Sequence, residues 1–184
     1  TISYDTMWNS TRRMAECIAE GLRETDPTLT VKLFNSAVDD KNDIVTEVFK
    51  SKAILVGSPT INYGFLFSIG GIMEMIRGLK FKNKKAAAFG SYGWSGEAVK
   101  QITALLQGAG FDVVNDGLRC QWNPDQATQD TCRQYGRDFA AAVSASEAKE
   151  DEVPTELGDY NNDEQIGQAA KEHFEDWEKD AREG

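Results

Sequence analysis

The sequence predicts an α/β domain, a three-layer sandwich in which helices cover both faces of a five-stranded parallel sheet of order 2-1-3-4-5. Three observations carry this. Short runs of small or β-branched apolar residues alternate with stretches whose apolar positions recur at the helical period. One of those runs, Ala53-Ile54-Leu55-Val56-Gly57, is apolar throughout, as a strand buried on both faces is. Three loops dense in small, hydroxyl and aromatic residues each fall where a strand should hand over to a helix, which is where open parallel sheets gather their ligands.

Thr1–Tyr4 reads as a first strand that is cut short, and the chain opens there without Met, as a piece of a longer polypeptide would. Met14, Cys17, Ile18 and Leu22 place one apolar stripe on a helix over Arg12–Glu24. Thr30–Asn35 alternates Val31 and Leu33 with polar residues, which suits an outer strand. Asp39 and Asp40 offer an N-cap to a helix carrying Ile44, Val45, Val48 and Phe49. Ala53–Gly57 is the third strand. A helix over Ile69–Arg77 ends at Gly78, expected as a left-handed cap. Lys85–Gly90 is the fourth strand, Glu97–Gln107 the next helix, and Phe111–Leu118 the fifth strand. Pro124 and Asp125 open a last helix running through Val143.

The formal charge of −10 is unevenly placed: residues 1–144 hold sixteen acidic and sixteen basic side chains, whereas residues 145–184 hold fourteen acids against four bases. No basic patch exists to neutralise phosphates, which excludes nucleic acid as a partner class. No apolar run reaches the roughly 20 residues a membrane span needs. Cys17, Cys120 and Cys132 are far apart in sequence with no C-x-x-C spacing, which excludes a rubredoxin-type or zinc-ribbon site. An odd cysteine count without a disulfide framework fits a reducing cytoplasm, and Cys17 falls on an apolar helix face as a buried thiol.

The first loop, Asp5-Thr6-Met7-Trp8-Asn9-Ser10-Thr11, precedes a helix whose first amides are unpaired and whose dipole is positive at that end. With Thr6, Asn9, Ser10 and Thr11 as further donors, it suits a phosphate. It lacks the Gly-Lys-Ser/Thr ending of a triphosphate loop. The plain alternative is that Ser10 or Thr11 only caps the helix. The second loop, Ser58-Pro59-Thr60-Ile61-Asn62-Tyr63-Gly64, is stiffened by Pro59 and turned by Gly64, with Ile61 or Tyr63 available to cover a ring; alone it also reads as an ordinary turn. In the third, Gly90-Ser91-Tyr92-Gly93-Trp94-Ser95-Gly96, glycines allow close backbone approach while Tyr92 and Trp94 present flat faces. Packing of Trp94 into a neighbouring helix is the alternative there. Together the loops read as a site for flavin mononucleotide (FMN), with no Asp or Glu inside either ring loop and no side chain acting as acid or base.

These loops, with Gly57-Ser58 and Phe89-Gly90 at their strand ends, Gly110-Phe111, Pro124 and the stretch from Cys132 to Gly136, resemble the flavodoxin domain of flavodiiron proteins, the A-type flavoproteins that include the flavorubredoxins. The resemblance covers residues 1–144 and implies a flavodoxin-like fold with non-covalent FMN. It implies phosphate contacts from Thr6, Met7, Asn9, Ser10 and Thr11, with Trp8 beside them as a further cofactor-binding residue. Pro59, Thr60, Ile61, Asn62 and Gly64 would meet the ring and ribityl side, and Ser91, Tyr92, Gly93, Trp94, Ser95 and Gly96 the other ring edge. It further implies electron relay from rubredoxin or another reductase to a diiron centre that reduces dioxygen or nitric oxide, and pairing as a head-to-tail homodimer. That centre sits in a separate metallo-β-lactamase-like domain; with His173 as its one histidine, this chain cannot build it. The run Phe65-Leu66-Phe67-Ser68-Ile69-Gly70-Gly71 is more apolar than the family pattern.

Residues 145–160 are Glu-rich and broken by Pro154 and Gly158, as a linker is. Within 161–184, Ile166, Ala170, Phe174, Trp177 and Ala181 recur at helical spacing, giving an amphipathic helix with an acidic face, either simply solvated or docking a second domain or donor. Two other functions share the topology. A stand-alone carrier or an NAD(P)H:quinone-type flavin reductase would use the same loops. A receiver domain would need an acidic cluster with a phosphoacceptor; Asp5 is available, but the third strand ends in Gly57-Ser58-Pro59.

Overall fold

The structure is a computed structural model that describes residues 1–150, with side chains through residue 145. The chain runs β1 (Ile2–Tyr4), α1 (Ser10–Thr25), β2 (Leu33–Asn35), α2 (Lys41–Lys50), β3 (Ala53–Gly57), α3 (Phe67–Arg77), β4 (Lys85–Tyr92), α4 (Glu97–Gly108), β5 (Asp112–Val113), β6 (Leu118–Gln121) and α5 (Gln126–Glu150). The strands pair in parallel in the order β2-β1-β3-β4-β5, with β6 also on β4, which is the expected flavodoxin-like arrangement.

The continuous apolar strands split their side chains between two layers because successive residues point to opposite faces. Leu55, Ala87 and Phe89 face α1 and α5, where they meet Met14, Ile18, Leu22 and Phe139. Ile54, Val56, Ala86 and Ala88 face the other way, against Val48 of α2, Ile69, Met73 and Ile76 of α3, and Val99, Ile102 and Leu106 of α4. On the first face the helices touch backbone to backbone. A Cβ on Gly21 would lie 2.0 Å from the Arg133 carbonyl oxygen, and one on Gly136 would lie 2.2 Å from that of Ile18.

Several boundaries differ from the sequence expectation. The fifth strand is not continuous over Phe111–Leu118 but broken into β5 and β6, each paired to β4. Asn115 accepts from the Gly117 amide at 2.9 Å, and Gly117 has φ +87°, so Asn-Asp-Gly makes a turn where a strand was expected. Gly78 is right-handed, φ −74°, and not the left-handed cap; the positive φ falls instead on Lys80 at 48°. The N-cap of α2 is Asp40, whose carboxylate accepts from the Asn42 amide at 2.7 Å. Asp125 likewise receives the Thr128 amide at 2.8 Å ahead of α5. That helix continues past Val143 to Glu150, through alanine-rich sequence with no helix breaker before Pro154. The rest of the expected linker and the acidic helix, residues 151–184, lie outside the described residues. Among the described residues no helix is long and apolar enough to cross a membrane.

Two expectations follow. Alanine normally improves a helix interior, but Gly136→Ala should destabilise the protein by about 1–3 kcal/mol through overpacking, whereas Gly108→Ala, with open space around its Cβ position, should be neutral or stabilise by up to about 1 kcal/mol. Urea unfolding of both variants checks the contrast. Burial pushes the thiols of Cys17, Cys120 and Cys132 up, the last from 9.0 to about 12 with the other two thiols adding to it. The folded chain therefore keeps protons that the unfolded chain releases. This contribution is complete below the ordinary thiol pKa and is lost as pH rises toward that of folded Cys132. Unfolding free energy measured against pH should fall across that alkaline window, and less steeply in Cys132→Ala.

Candidate functional site

β1, β3, β4 and β6 all end at one edge of the sheet, and their ladder continues past the strands. The Asp5 amide donates to the Gly57 carbonyl (3.0 Å), Ser58 to Phe89 (3.2 Å), Thr60 to Ser91 (2.8 Å) and Trp122 to Tyr92 (2.8 Å). Two glycines permit this. The Phe89 ring comes within 2.3 Å of where a Gly57 Cβ would stand, and a Gly90 Cβ would lie 2.1 Å from the Ser58 carbonyl oxygen.

In the first loop, Met7, Trp8 and Ser10 line a cavity of about 540 Å³, while Thr6, Asn9 and Thr11 are not part of its lining. The helix is capped by neither Ser10 nor Thr11. Its N-cap is Asn9, in a left-handed conformation with φ 63° and no side-chain cap bond, so α1 begins at Ser10, two residues before the expected start. Thr11 is fully buried, and its hydroxyl bonds that of Ser91 at 3.0 Å, tying the first loop to β4. The Thr6 amide donates to Asp5 at 2.6 Å, but the Thr6 hydroxyl is buried with no partner.

The second loop is a two-residue hairpin: Ile61 and Gly64 exchange both backbone bonds, at 3.0 and 2.8 Å, around Asn62 (φ 48°) and Tyr63 (φ 59°). The left-handed residues are thus Asn62 and Tyr63, and not Gly64, to which the sequence assigned the turn. The Tyr63 carbonyl is anchored by Gln101 at 2.7 Å. Pro59, Thr60, Ile61 and Asn62 line the cavity with Tyr63; Gly64 does not. The Thr60 hydroxyl also accepts the Ala98 amide at 3.3 Å, in the first turn of α4.

The third loop contributes Ser91, Tyr92, Gly93, Trp94 and Ser95 to the lining, whereas Gly96 (φ 79°) is the N-cap of α4, its Cβ position against the Tyr92 ring. Trp94 is 89% exposed and does not pack into a helix. Its ring meets that of Trp122 edge to face, 5.5 Å apart and at 71°. Trp122 also lines the cavity and lies against Gly93, yet sequence reasoning missed it. Its signal was positional: a wide aromatic directly after the last strand and just before Pro124, at the same edge as the three loops.

The lining contains no Asp, Glu, Lys, Arg or His. These residues fit FMN. The orphaned Thr6 hydroxyl and the uncapped first turn of α1 offer neutral donors to a phosphate, and the aromatics on the opposite loops offer faces to a planar ring. Among the described residues no cluster of His, Cys, Asp and Glu could hold a metal.

Residues 2–136 match the family model described as Flavodoxin. The chain is 51% identical over 140 residues to an anaerobic nitric oxide reductase flavorubredoxin from Escherichia coli, an alignment spanning 76% of this chain but 29% of that protein. Its structure superposes on rubredoxin oxygen:oxidoreductase from Desulfovibrio gigas with a TM-score of 0.76 at 37% identity, covering 80% of this chain and 36% of that one. It superposes on the flavodiiron protein from Giardia intestinalis with a TM-score of 0.75 at 28% identity, with the same two shares covered. The chain therefore spans about a third of each of these relatives.

Removing the aromatic that sequence reading missed should loosen the site. Trp122→Ala should lower flavin affinity roughly three- to tenfold, the value of an aromatic pair of about 0.5–1.5 kcal/mol, and Trp122→Phe should restore most of it. Titration by quenching of FMN fluorescence measures both.

Proposed function

The chain belongs to the flavodoxin family, and from that premise we propose that it is the FMN-binding electron-transfer domain of a flavodiiron-type oxidoreductase. Its cofactor is FMN, which when bound accepts and releases electrons one or two at a time. Thr6, Met7, Asn9, Ser10 and Thr11 hold the phosphate through amides and hydroxyls, with Trp8 beside them. Pro59, Thr60, Ile61, Asn62 and Gly64 serve the ring and ribityl side. Ser91, Tyr92, Gly93, Trp94, Ser95 and Gly96 serve the other ring edge. Thr6, Asn9, Thr11, Gly64 and Gly96 are not among the residues lining the cavity, and the two glycines contribute through their backbone.

The observation that carries this reading is the absence of any charged residue from the cavity wall. A site whose protein groups move protons normally carries a side chain poised to donate or accept one. Here the wall offers aromatics, hydroxyls and backbone dipoles, which hold a ring and tune its electrostatics. The partners are an electron donor such as rubredoxin or a reductase, and a diiron domain of metallo-β-lactamase type supplied by the longer parent protein. That domain reduces dioxygen or nitric oxide, as the names of the relatives indicate for those proteins. Head-to-tail pairing brings each flavin to a neighbouring copy's iron. The exposed aromatics around the cavity, Trp8 at 83%, Tyr63 at 76% and Trp94 at 89%, suit such docking, since apolar clusters of this kind mark interaction surfaces. Three buried free thiols suit a reducing cytoplasm.

The purified chain should bind FMN at one per chain and turn yellow, and the bound flavin should be reduced by reduced rubredoxin without consuming dioxygen or nitric oxide catalytically. Trp94→Ala should weaken FMN retention about tenfold, in line with stacking on an aromatic face worth about 1–3 kcal/mol. A chain that stays colourless with excess FMN refutes the reading. Rapid bleaching by NADH or NADPH with quinone turnover would assign it instead to the flavin reductases.

A further inference from the structure

Asp5 is 7% exposed and does not line the cavity, yet each of its carboxylate oxygens is bonded to a different element. Oδ1 accepts the Thr6 amide at 2.6 Å, and Oδ2 accepts the hydroxyl of Ser68, in the first turn of α3. Ser68 in turn lies 3.3 Å from the hydroxyl of Ser36, just past β2, and Ser36 is fixed to β1 through the Tyr4 carbonyl, to which its hydroxyl and amide both donate at 3.0 and 2.8 Å. The exits of β1 and β2 and the start of α3 are thus knotted together behind the first loop.

We propose that Asp5 and Ser68 are positioning residues for the phosphate of FMN, aiming Thr6 without touching the ligand. The proposal rests on the FMN reading above. Thr6 is the pivot. Its amide is gripped by Asp5, and its hydroxyl is the one buried side-chain donor of the loop left without a partner. A five-residue loop that ends in a left-handed Asn9 has few ways to point its second residue. The Asp5 grip selects one of them. Ser68 makes that grip rigid by holding the far oxygen from a separate helix, so that the carboxylate cannot rotate with the loop. This also gives the polar Ser68 a purpose within the apolar run Phe65–Gly71, where neighbouring Phe67 is 94% exposed and Ile69 is fully buried.

A positioning role for the phosphate predicts a split between FMN and riboflavin, which lacks the phosphate. The full chain and the variants Ser68→Ala, Asp5→Ala, Asp5→Asn and the double alanine are titrated with both flavins by fluorescence, with thermal unfolding recorded in parallel. Ser68→Ala and Asp5→Ala should each weaken FMN about tenfold, the scale of one charge-assisted hydrogen bond, and leave riboflavin affinity unchanged. The double variant should be no weaker than Asp5→Ala alone, because the two act as one unit. Asp5→Asn should recover most of the FMN affinity, since its amide keeps an acceptor for Thr6 and offers a donor to Ser68. Unchanged FMN affinity in Ser68→Ala, equal losses for both flavins, or additive losses would overturn the proposal. Ser68 is only partly buried, so its alanine variant decides the matter even if Asp5→Ala fails to fold. Failure of the unaltered chain to bind either flavin is a different result, and refutes the flavin reading itself.

Discussion

The close approach of the chain leaving β3 to the chain leaving β4 is the constraint on which the site depends. Gly90 sits where any side chain would collide with the Ser58 carbonyl, and Gly57 sits under the Phe89 ring. Only because both positions are bare can Ser58 and Thr60 continue the ladder to Phe89 and Ser91. The second and third loops consequently leave the sheet as a fixed pair, with Pro59 and Thr60 on one side of the cavity and Tyr92 to Ser95 on the other. The spacing of the cavity walls is therefore set by backbone hydrogen bonds in the buried sheet and not by the loops themselves.

Neutral groups then tie the loops to one another and to the helices that follow them. Thr11 reaches Ser91, Thr60 reaches the first turn of α4, and Ser58 receives the Leu66 amide at 2.9 Å. Hydroxyls serve here because a short polar side chain bridges backbone segments without the desolvation penalty of a buried charge. The same economy of charge holds in the cavity wall.

The layer order, the parallel sheet and the edge at which the site forms were legible in the sequence, because alternation of apolar runs and helical stripes admits few topologies. The three loops were legible for the same reason, as loops following strands one, three and four. What escaped was set by tertiary contact or by backbone handedness. Asn115-Asp116-Gly117 interrupts a strand that apolar flanks on both sides suggested was whole. Gly78 looked like a cap by composition, yet the chain turns two residues later at Lys80. The bond between the Thr11 hydroxyl and that of Ser91, eighty positions away, could not be read from the loop's own sequence. Trp122 carried no motif at all. Its place beside Trp94 follows from β6 pairing with β4, a contact that no local pattern encodes.

Among the described residues, four of the six non-glycine positions with positive φ, Asn9, Asn62, Tyr63 and Trp122, lie at this one edge. For a bulky aromatic such a backbone is disfavoured, and it persists only where surrounding structure enforces it. Tyr63 and Trp122 are enforced by the Gln101 anchor and by the bond to Tyr92. Their freedom is thus surrendered when the polypeptide folds and not when a guest arrives. The rim's backbone is set by contacts within the fold, and a guest that fits it need not first organise those residues.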